Sequence, residues 1–289
     1  MAANKRVRIF QIYYNDETSR QVEPQFIGLD NTGAERTDWA EFWPIRHALK
    51  TQKFDPNEWI GFFSPRFTEK TGMNGAAVMQ AIQSHDAEVY SFSPFFEQGA
   101  LYLNPIFQGE GHHPGLVKLI EALLPRLGLR LDPRTFVSDQ TTTIFCNYFV
   151  AKPALWMRWL ALAEHVFELS ENGKGPIAEQ LRAVTTHRDG SSYTLKVFVI
   201  ERLISMLIES EGLTAHPCVD LKSSPRSLIN IDNVWAHLLI CDALKGHYRR
   251  TLAPVYIELY AQMRKEAIDE LQRIEGAAAS AAAKSANAR

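Results

Sequence analysis

Val7-Arg-Ile-Phe-Gln-Ile-Tyr-Tyr14, followed at once by Asn15-Asp16, is the stretch on which the fold turns. Its β-branched and aromatic residues read as a buried strand, and the Asn-Asp pair reads as the loop that ends it. The same signature recurs downstream. Gln25–Leu29 runs into the turn cluster Asp30-Asn31-Thr32-Gly33, Trp59–Phe63 into Ser64-Pro65, and Glu88–Phe92 into Ser93-Pro94. Ile144–Val150 is a fifth strand-like run.

Helical spacing falls between these runs. Asp38 with Glu41 three residues later has the form of a capping box, followed by Trp39, Phe42, Trp43 and Ile45, with Pro44 in the first two turns. Gly75–Gln83 is helical by periodicity. In Pro114–Leu127 the leucines and Ile120 fall on one face, Pro114 suits the first turn and Gly128 suits the C-terminus. Helices are expected over Ala154–Leu169, Tyr193–Ser210, Val234–Leu244 and Val255–Leu271. Strands alternating with helices over the first 150 residues mean an α/β sheet, and helix dominates afterwards. The expected organisation is one α/β domain over 1–215, a helical elaboration over 216–275, and a frayed alanine-rich tail over 276–289.

Composition excludes several function classes. The chain has 289 residues, 31 Lys and Arg against 33 Asp and Glu, and 46% apolar residues. A net charge of −2 argues against a broad nucleic-acid surface, which needs a basic excess. Cys146, Cys218 and Cys241 are too few and too far apart for a disulfide framework or a zinc finger. No signal-peptide core and no run of 18 apolar residues is present, so a cytoplasmic chain is expected. One local departure from neutrality is Lys245, His247, Arg249 and Arg250, readable as a solvated face or as a contact with acidic lipid at the inner face of a membrane.

Ligands of open α/β sheets bind beyond the carboxyl ends of the strands. Candidate binding residues are therefore Gln11, Tyr13, Tyr14, Asp30, Asn31, Arg66, Lys70, Ser91, Ser93 and Asn147, a polar and aromatic set that suits a base and a ribose. Glu110-Gly-His112-His113 precedes the Pro114 helix, whose N-terminus would attract an anion. His112 is a candidate donor there, and Glu110 and His113 are candidate acid–base groups. Glu201 interrupts the apolar run Val197–Ile204; such a carboxylate is either a structural ion pair or a base whose proton affinity burial has raised. There is no Walker motif, no dinucleotide glycine fingerprint and no Gly-x-Ser-x-Gly elbow.

Four ordered segments carry a family resemblance: Ile9–Tyr14, Trp59–Phe67, Asn147–Lys152 followed by Trp156 and Trp159, and Phe198-Val-Ile-Glu-Arg-Leu203. Together, over about residues 7 to 210, they resemble bacterial glycosyltransferases of the GT-A fold found in capsule and O-antigen polysaccharide loci. The resemblance implies a GT-A-like (Rossmann-like) sheet, a nucleotide-sugar donor, and transfer of the sugar to a hydroxyl of a saccharide or lipid-linked acceptor, with Glu201 or Glu110 as base. It also implies an Asp-x-Asp pair holding Mn or Mg on the donor diphosphate. Here the matching strand end reads Ser91-Phe92-Ser93, and Asp86-Ala-Glu88 lies before the strand, so no metal ligand is assigned. Lys70, Arg66, His112 or His113 would meet the diphosphate charge instead. Two further readings are a non-catalytic nucleotide- or sugar-binding protein and an interaction scaffold built on the helical C-terminal third.

Overall fold

A computed structural model describes residues 4–33, 35–186, 192–228 and 230–287. Six strands form one mixed sheet: β1 (Val7–Tyr13), β2 (Ile27–Asp30), β3 (Trp59–Phe63), β4 (Val89–Ser91), β5 (Phe149–Ala151) and β8 (His216–Pro217). Their spatial order is β2-β1-β3-β5-β4-β8. β6 (Val184–Thr186) and β7 (Ser192–Thr194) pair separately as a ribbon. β5 runs antiparallel to both its neighbours, and every other pairing is parallel. Five strands therefore point their carboxyl ends to one edge, and β5 brings its amino end there.

Helices are α1 (Asp16–Ser19), α2 (Phe42–Thr51), α3 (Phe67–Thr71), α4 (Gly75–Ser84), α5 (Phe96–Leu101), α6 (Pro105–His112), α7 (Leu116–Leu127), α8 (Pro153–Asn172), α9 (Pro176–Arg182), α10 (Leu195–Glu211), α11 (Trp235–Thr251) and α12 (Pro254–Asn287). Strand alternation divides the core between them. Phe10, Ile12, Ile60, Phe62 and Phe149 face α2, α7, α8 and α10. Ile9, Trp59, Phe63, Tyr90 and Val150 face α3 and α4. A third cluster joins α5 to the α11–α12 hairpin through Leu101, Leu238, Cys241 and Tyr260. Both faces of the sheet are covered, which is why its strands read as nearly unbroken apolar runs. Gly61, central in β3, permits the close approach of β5: a Cβ there would lie 2.7 Å from Val150 Cγ2 and 3.1 Å from Phe149 O.

Several sequence expectations change. Asp38 does not open a helix. Thr37–Trp39 is a single 3₁₀ turn, Ala40 breaks it at φ 46°, and α2 starts at Phe42. Asp38 instead takes Arg36 and Lys196 as ion partners, and Pro44 sits at the third helical position, where no intrahelical N–H is needed. The run Ile144–Val150 is mostly loop, with only Phe149–Ala151 as strand. Pro114 lies outside α7, whose N-cap is Gly115, and α6 precedes it as a separate short helix. The chain rejoins the main sheet at His216–Pro217 before the helical region. α12 continues through the alanine-rich stretch to Asn287, as alanine's high helix propensity allows, so secondary structure does not change at 276. Among the described residues, no helix is long and apolar enough to cross a membrane.

Candidate functional site

The chain leaves β1 for β2 on one side and then crosses to β3 on the other. Such a reversal opens a crevice at the carboxyl edge, the usual ligand position in open α/β sheets. Here the crevice is shallow: its roughly 350 Å³ includes space open to solvent. It is lined by Trp39, Ala40, Glu41 and Phe42 after β2, Lys70 of α3, Cys146 and Asn147 before β5, and Val197, Ile200 and Glu201 of α10.

Its backbone is unusual. Ala40, Cys146 and Asn147 adopt φ of 46°, 59° and 53°. Left-handed backbone costs non-glycine residues of order 1–3 kcal/mol each and persists only where surrounding structure enforces it. At Ala40 the turn places Glu41 at the N-terminus of α2. At Cys146-Asn147 two successive left-handed residues turn the chain just before β5. Asn147 is only 5% exposed, and its side-chain Oδ1 is buried without a hydrogen-bond partner.

Charges gather around this turn. Burial raises the Glu41 carboxyl above its ordinary pKa, and the charge of Glu201 adds to the effect, while Lys70 and Tyr14 oppose it. The Tyr14 phenol is raised by burial and by Glu41 beside it. Burial alone would lower Lys70, but Cys146, Glu201 and Glu41 hold its ammonium above the ordinary value. Lys70 Nζ donates to Cys146 Sγ at 3.3 Å, and burial pushes that thiol up to about 11. Glu201 accepts from Arg202 Nη1 at 2.6 Å. Arg202 in turn holds Gln108 Oε1 at 2.8 Å, so the carboxylate is oriented from the α6 side.

Two further crevices flank this one. Asp30 and Asn31 line the first with Trp43, Pro44 and His47. Ser91 and Ser93 line the second with Phe95, Phe145, Gln140 and Asp242. Adjacent residues border neighbouring spaces: Phe42 the centre and Trp43 the first flank, Cys146 the centre and Phe145 the second. All three lie at the carboxyl edge of the sheet.

The structure thus brings together Lys70, Asn147 and Glu201, with Tyr14 beside Glu41. Tyr13 and Asp30 pair in register at the ends of β1 and β2, and the Thr32 amide holds the Asp30 carboxyl below its ordinary pKa. Other candidates have structural roles. Gln11 is buried and accepts from the Glu23 amide at 2.8 Å. Arg66 pairs with Glu69 on the surface. Ser93 Oγ accepts from the Phe145 amide at 2.9 Å, and Ser91 Oγ from the Ser93 amide.

Glu110 has a structural role. It lies in α6, and its two oxygens accept the Gly115 and Val117 amides at 3.0 and 2.8 Å, so it caps α7 and itself fills the expected anion position. His113 is 2% exposed, stacked 3.5 Å from the Phe198 ring and bonded to Thr185. Phe198 and Arg202 form one stripe of α10 and Val197 and Glu201 the next, about 100° around the helix. His113 and His112, at the end of α6, therefore belong to the α6 side and do not line the crevice.

The basic cluster is also turned inward. Lys245 is fully buried and donates to the Gly99 and Tyr102 carbonyls at 2.5 and 2.9 Å. Arg249 bonds Asp139 and Glu209, which leaves Arg250 as the exposed member of the expected lipid-contact trio.

Sequence reasoning missed Glu41, which looked like the third residue of a capping box. The available signal was Pro44, which makes a helix start after Glu41 the better reading. Among the described residues no group of three His, Cys, Asp or Glu side chains is arranged to hold a metal ion. Comparison of the chain with protein-family models, with curated proteins and with solved structures finds no match.

Proposed function

We propose that this chain is a glycosyltransferase on a GT-A-like sheet, moving a sugar from a nucleotide-sugar donor to a hydroxyl of a saccharide or lipid-linked acceptor in the cytoplasm. The observation that carries the reading is the convergence of the half-buried Glu41 carboxylate, the Lys70 ammonium and the Asn147 side chain at the β1–β3 switch point. Transfer needs a base for the acceptor hydroxyl, a cation near the leaving group and polar partners for the sugar.

In the proposed step the acceptor hydroxyl gives its proton to Glu41. Its oxygen bonds to the anomeric carbon, and the bond from that carbon to the diphosphate oxygen breaks, with the electron pair leaving on the diphosphate. Burial makes Glu41 a better proton acceptor near neutral pH than an exposed carboxylate. Glu201, one of the two bases expected from sequence, lines the same space and adds negative potential that raises Glu41 further. Lys70 offsets charge on the leaving oxygen. Asp30, held ionised, accepts from ribose hydroxyls, and Trp43 in the same crevice offers a face to the base.

The residues do not fit a metal of the Asp-x-Asp kind. The β4 end carries Ser91 and Ser93, whose hydroxyls accept backbone amides, and Asp86 and Glu88 precede the strand. No step is therefore routed through a metal.

Thermal unfolding against a panel of nucleoside diphosphates and nucleotide sugars, with and without Mn²⁺, tests the reading. Ligands that bind only the native state raise the midpoint by mass action. At least one nucleotide sugar should stabilise the chain, with no further gain from Mn²⁺. Absence of stabilisation across the panel would contradict the proposal, and binding without turnover on any acceptor would favour a binding protein instead.

A further inference from the structure

The α11–α12 hairpin carries an apolar surface that the fold leaves uncovered. Of the ten large apolar side chains exposed among the described residues, five lie on it: Leu239, Ile240, Leu252, Val255 and Leu259. Such a concentration marks an interaction surface. α11 buries Leu238, Cys241, Asp242 and Lys245 against the rest of the chain. Ala236, Leu239, Ile240 and Ala243, at i, i+3, i+4 and i+7, form the opposite face, and all four are exposed. α12 extends this face. His237 lies 3.8 Å from Glu266, and the His247 and Tyr256 ring centroids are 4.2 Å apart. Ile240 stands between the two histidines on one side of α11, and Leu259 stands between Tyr256 and Glu266 on the same side of α12. The two apolar residues therefore share the outer side of the hairpin.

Charges at the two ends of α11 identify what covers it. Asp232, in the 3₁₀ turn Ile231–Val234 that leads into α11, pairs with Arg226 yet stays 80% exposed. Arg250, in the last turn, is exposed and bonds His247 Nδ1 but no carboxylate among the described residues. A second α11 laid antiparallel, with its Arg250 level with Asp232, brings its Ala243 level with Leu239 and sets a two-fold axis beside Ile240. Each pairing then occurs twice, as a two-fold interface requires. One register thus matches charge to charge and large to small, and facing large and small side chains interdigitate. We infer that this face is a self-association surface, closed by a second copy of this chain as an antiparallel pair of α11 helices. A lipid surface fits it less well. Along the hairpin the exposed charges are Asp232, Glu258, Glu266, Asp269 and Glu275 against Arg250, Lys265 and Arg273, an acidic excess that anionic headgroups repel.

Sedimentation velocity of the full chain across the micromolar range tests the inference. Wild type should pass from monomer to dimer as its concentration rises. Leu239→Glu should raise the dimer dissociation constant by on the order of 10²-fold, because each dimer loses the side chain twice. Arg250→Glu should raise it roughly tenfold, and adding Asp232→Lys should recover most of that loss. Leu239 is exposed in the single chain, so at dilutions where both proteins are monomeric Leu239→Glu should keep the unfolding midpoint of wild type. A wild type that stays monomeric throughout would overturn the inference, and so would a dimer that Leu239→Glu leaves intact. A loss in Arg250→Glu that Asp232→Lys does not recover would overturn it as well, because the antiparallel register would be wrong. Vesicles of phosphatidylethanolamine and phosphatidylglycerol provide the last arm. A monomeric chain that co-sediments with them, and no longer does so in Leu239→Glu, would assign the face to lipid and overturn the inference.

Discussion

Lys70 and Cys146, 76 positions apart in the chain, meet at 3.3 Å, Nζ to Sγ, and tie the helix after β3 to the turn before β5. The contact explains how the left-handed pair Cys146-Asn147 is held: the lysine fixes the first residue and leaves the second facing the crevice. It also makes the thiol an acceptor rather than a nucleophile, since burial outweighs the lysine and pushes Cys146 up to about 11.

That chemistry predicts slow alkylation. Burial also raises Cys218 to about 12 and Cys241 to about 11. The thiolate is the reactive form, so at pH 7.5 each native thiol should react with iodoacetamide at least on the order of 10²-fold more slowly than a free cysteine. Unfolding in denaturant should restore the ordinary rate. One fast native thiol would contradict the assignment.

Glu41→Gln should stabilise the fold at neutral pH. The folded state raises the pKa of Glu41, so folding favours its protonated form. The associated stability is present below the unfolded pKa and is lost as pH rises through the folded value. Glutamine removes that loss, so the gap between variant and wild type in denaturant midpoint should widen from pH 4 to pH 7. A destabilised variant at pH 7 would mean that the carboxylate is held by partners it needs charged.

The buried Lys245 and Asp242 give a second pH signature. Burial lifts Asp242 to about 6 and lowers Lys245 to about 8. For Asp242, stability should fall as pH rises from about 4 to 6; for Lys245, the depressed value means stability rises from about 8 towards 10.5. Lys245→Ala leaves the Gly99 and Tyr102 carbonyls without their donor and should cost roughly 2–4 kcal/mol in urea unfolding. A change under 0.5 kcal/mol would show that the ammonium holds nothing in place.

How far the sequence reveals this architecture depends on whether local signals agree with tertiary ones. Val7–Tyr13, Trp59–Phe63 and Gly75–Ser84 match expectation within a residue, because apolar runs and polar ends coincide with strand and helix limits. Gly128 caps α7 in the left-handed conformation as its sequence suggests. The crevice was less legible. Glu201 is legible as a charge within an apolar run, and Lys70 as a basic residue in the loop after the Trp59–Phe63 strand. Glu41 was hidden by a capping-box pattern that the Ala40 turn overrides. Phe145, Cys146 and Asn147 read as strand because left-handed backbone at non-glycine residues leaves no mark in composition. Lys245 reads as a surface charge, since only tertiary packing shows that it caps α5.

Leu252 offers a test of the backbone argument away from the crevices. It closes α11 at φ 55° and is 70% exposed. Leu252→Gly removes the left-handed strain and should stabilise by about 1 kcal/mol. Equal or lower stability would show that the leucine side chain makes a contact worth more than the strain.

The central claim is that the strand-end crevice transfers a sugar with Glu41 as base. Its most direct measurement is release of nucleoside diphosphate from a stabilising nucleotide sugar in the presence of an acceptor, compared between wild type and Glu41→Gln. The account predicts turnover that falls ~10²–10⁴-fold in the variant, with donor affinity retained. Turnover undiminished in Glu41→Gln would contradict it.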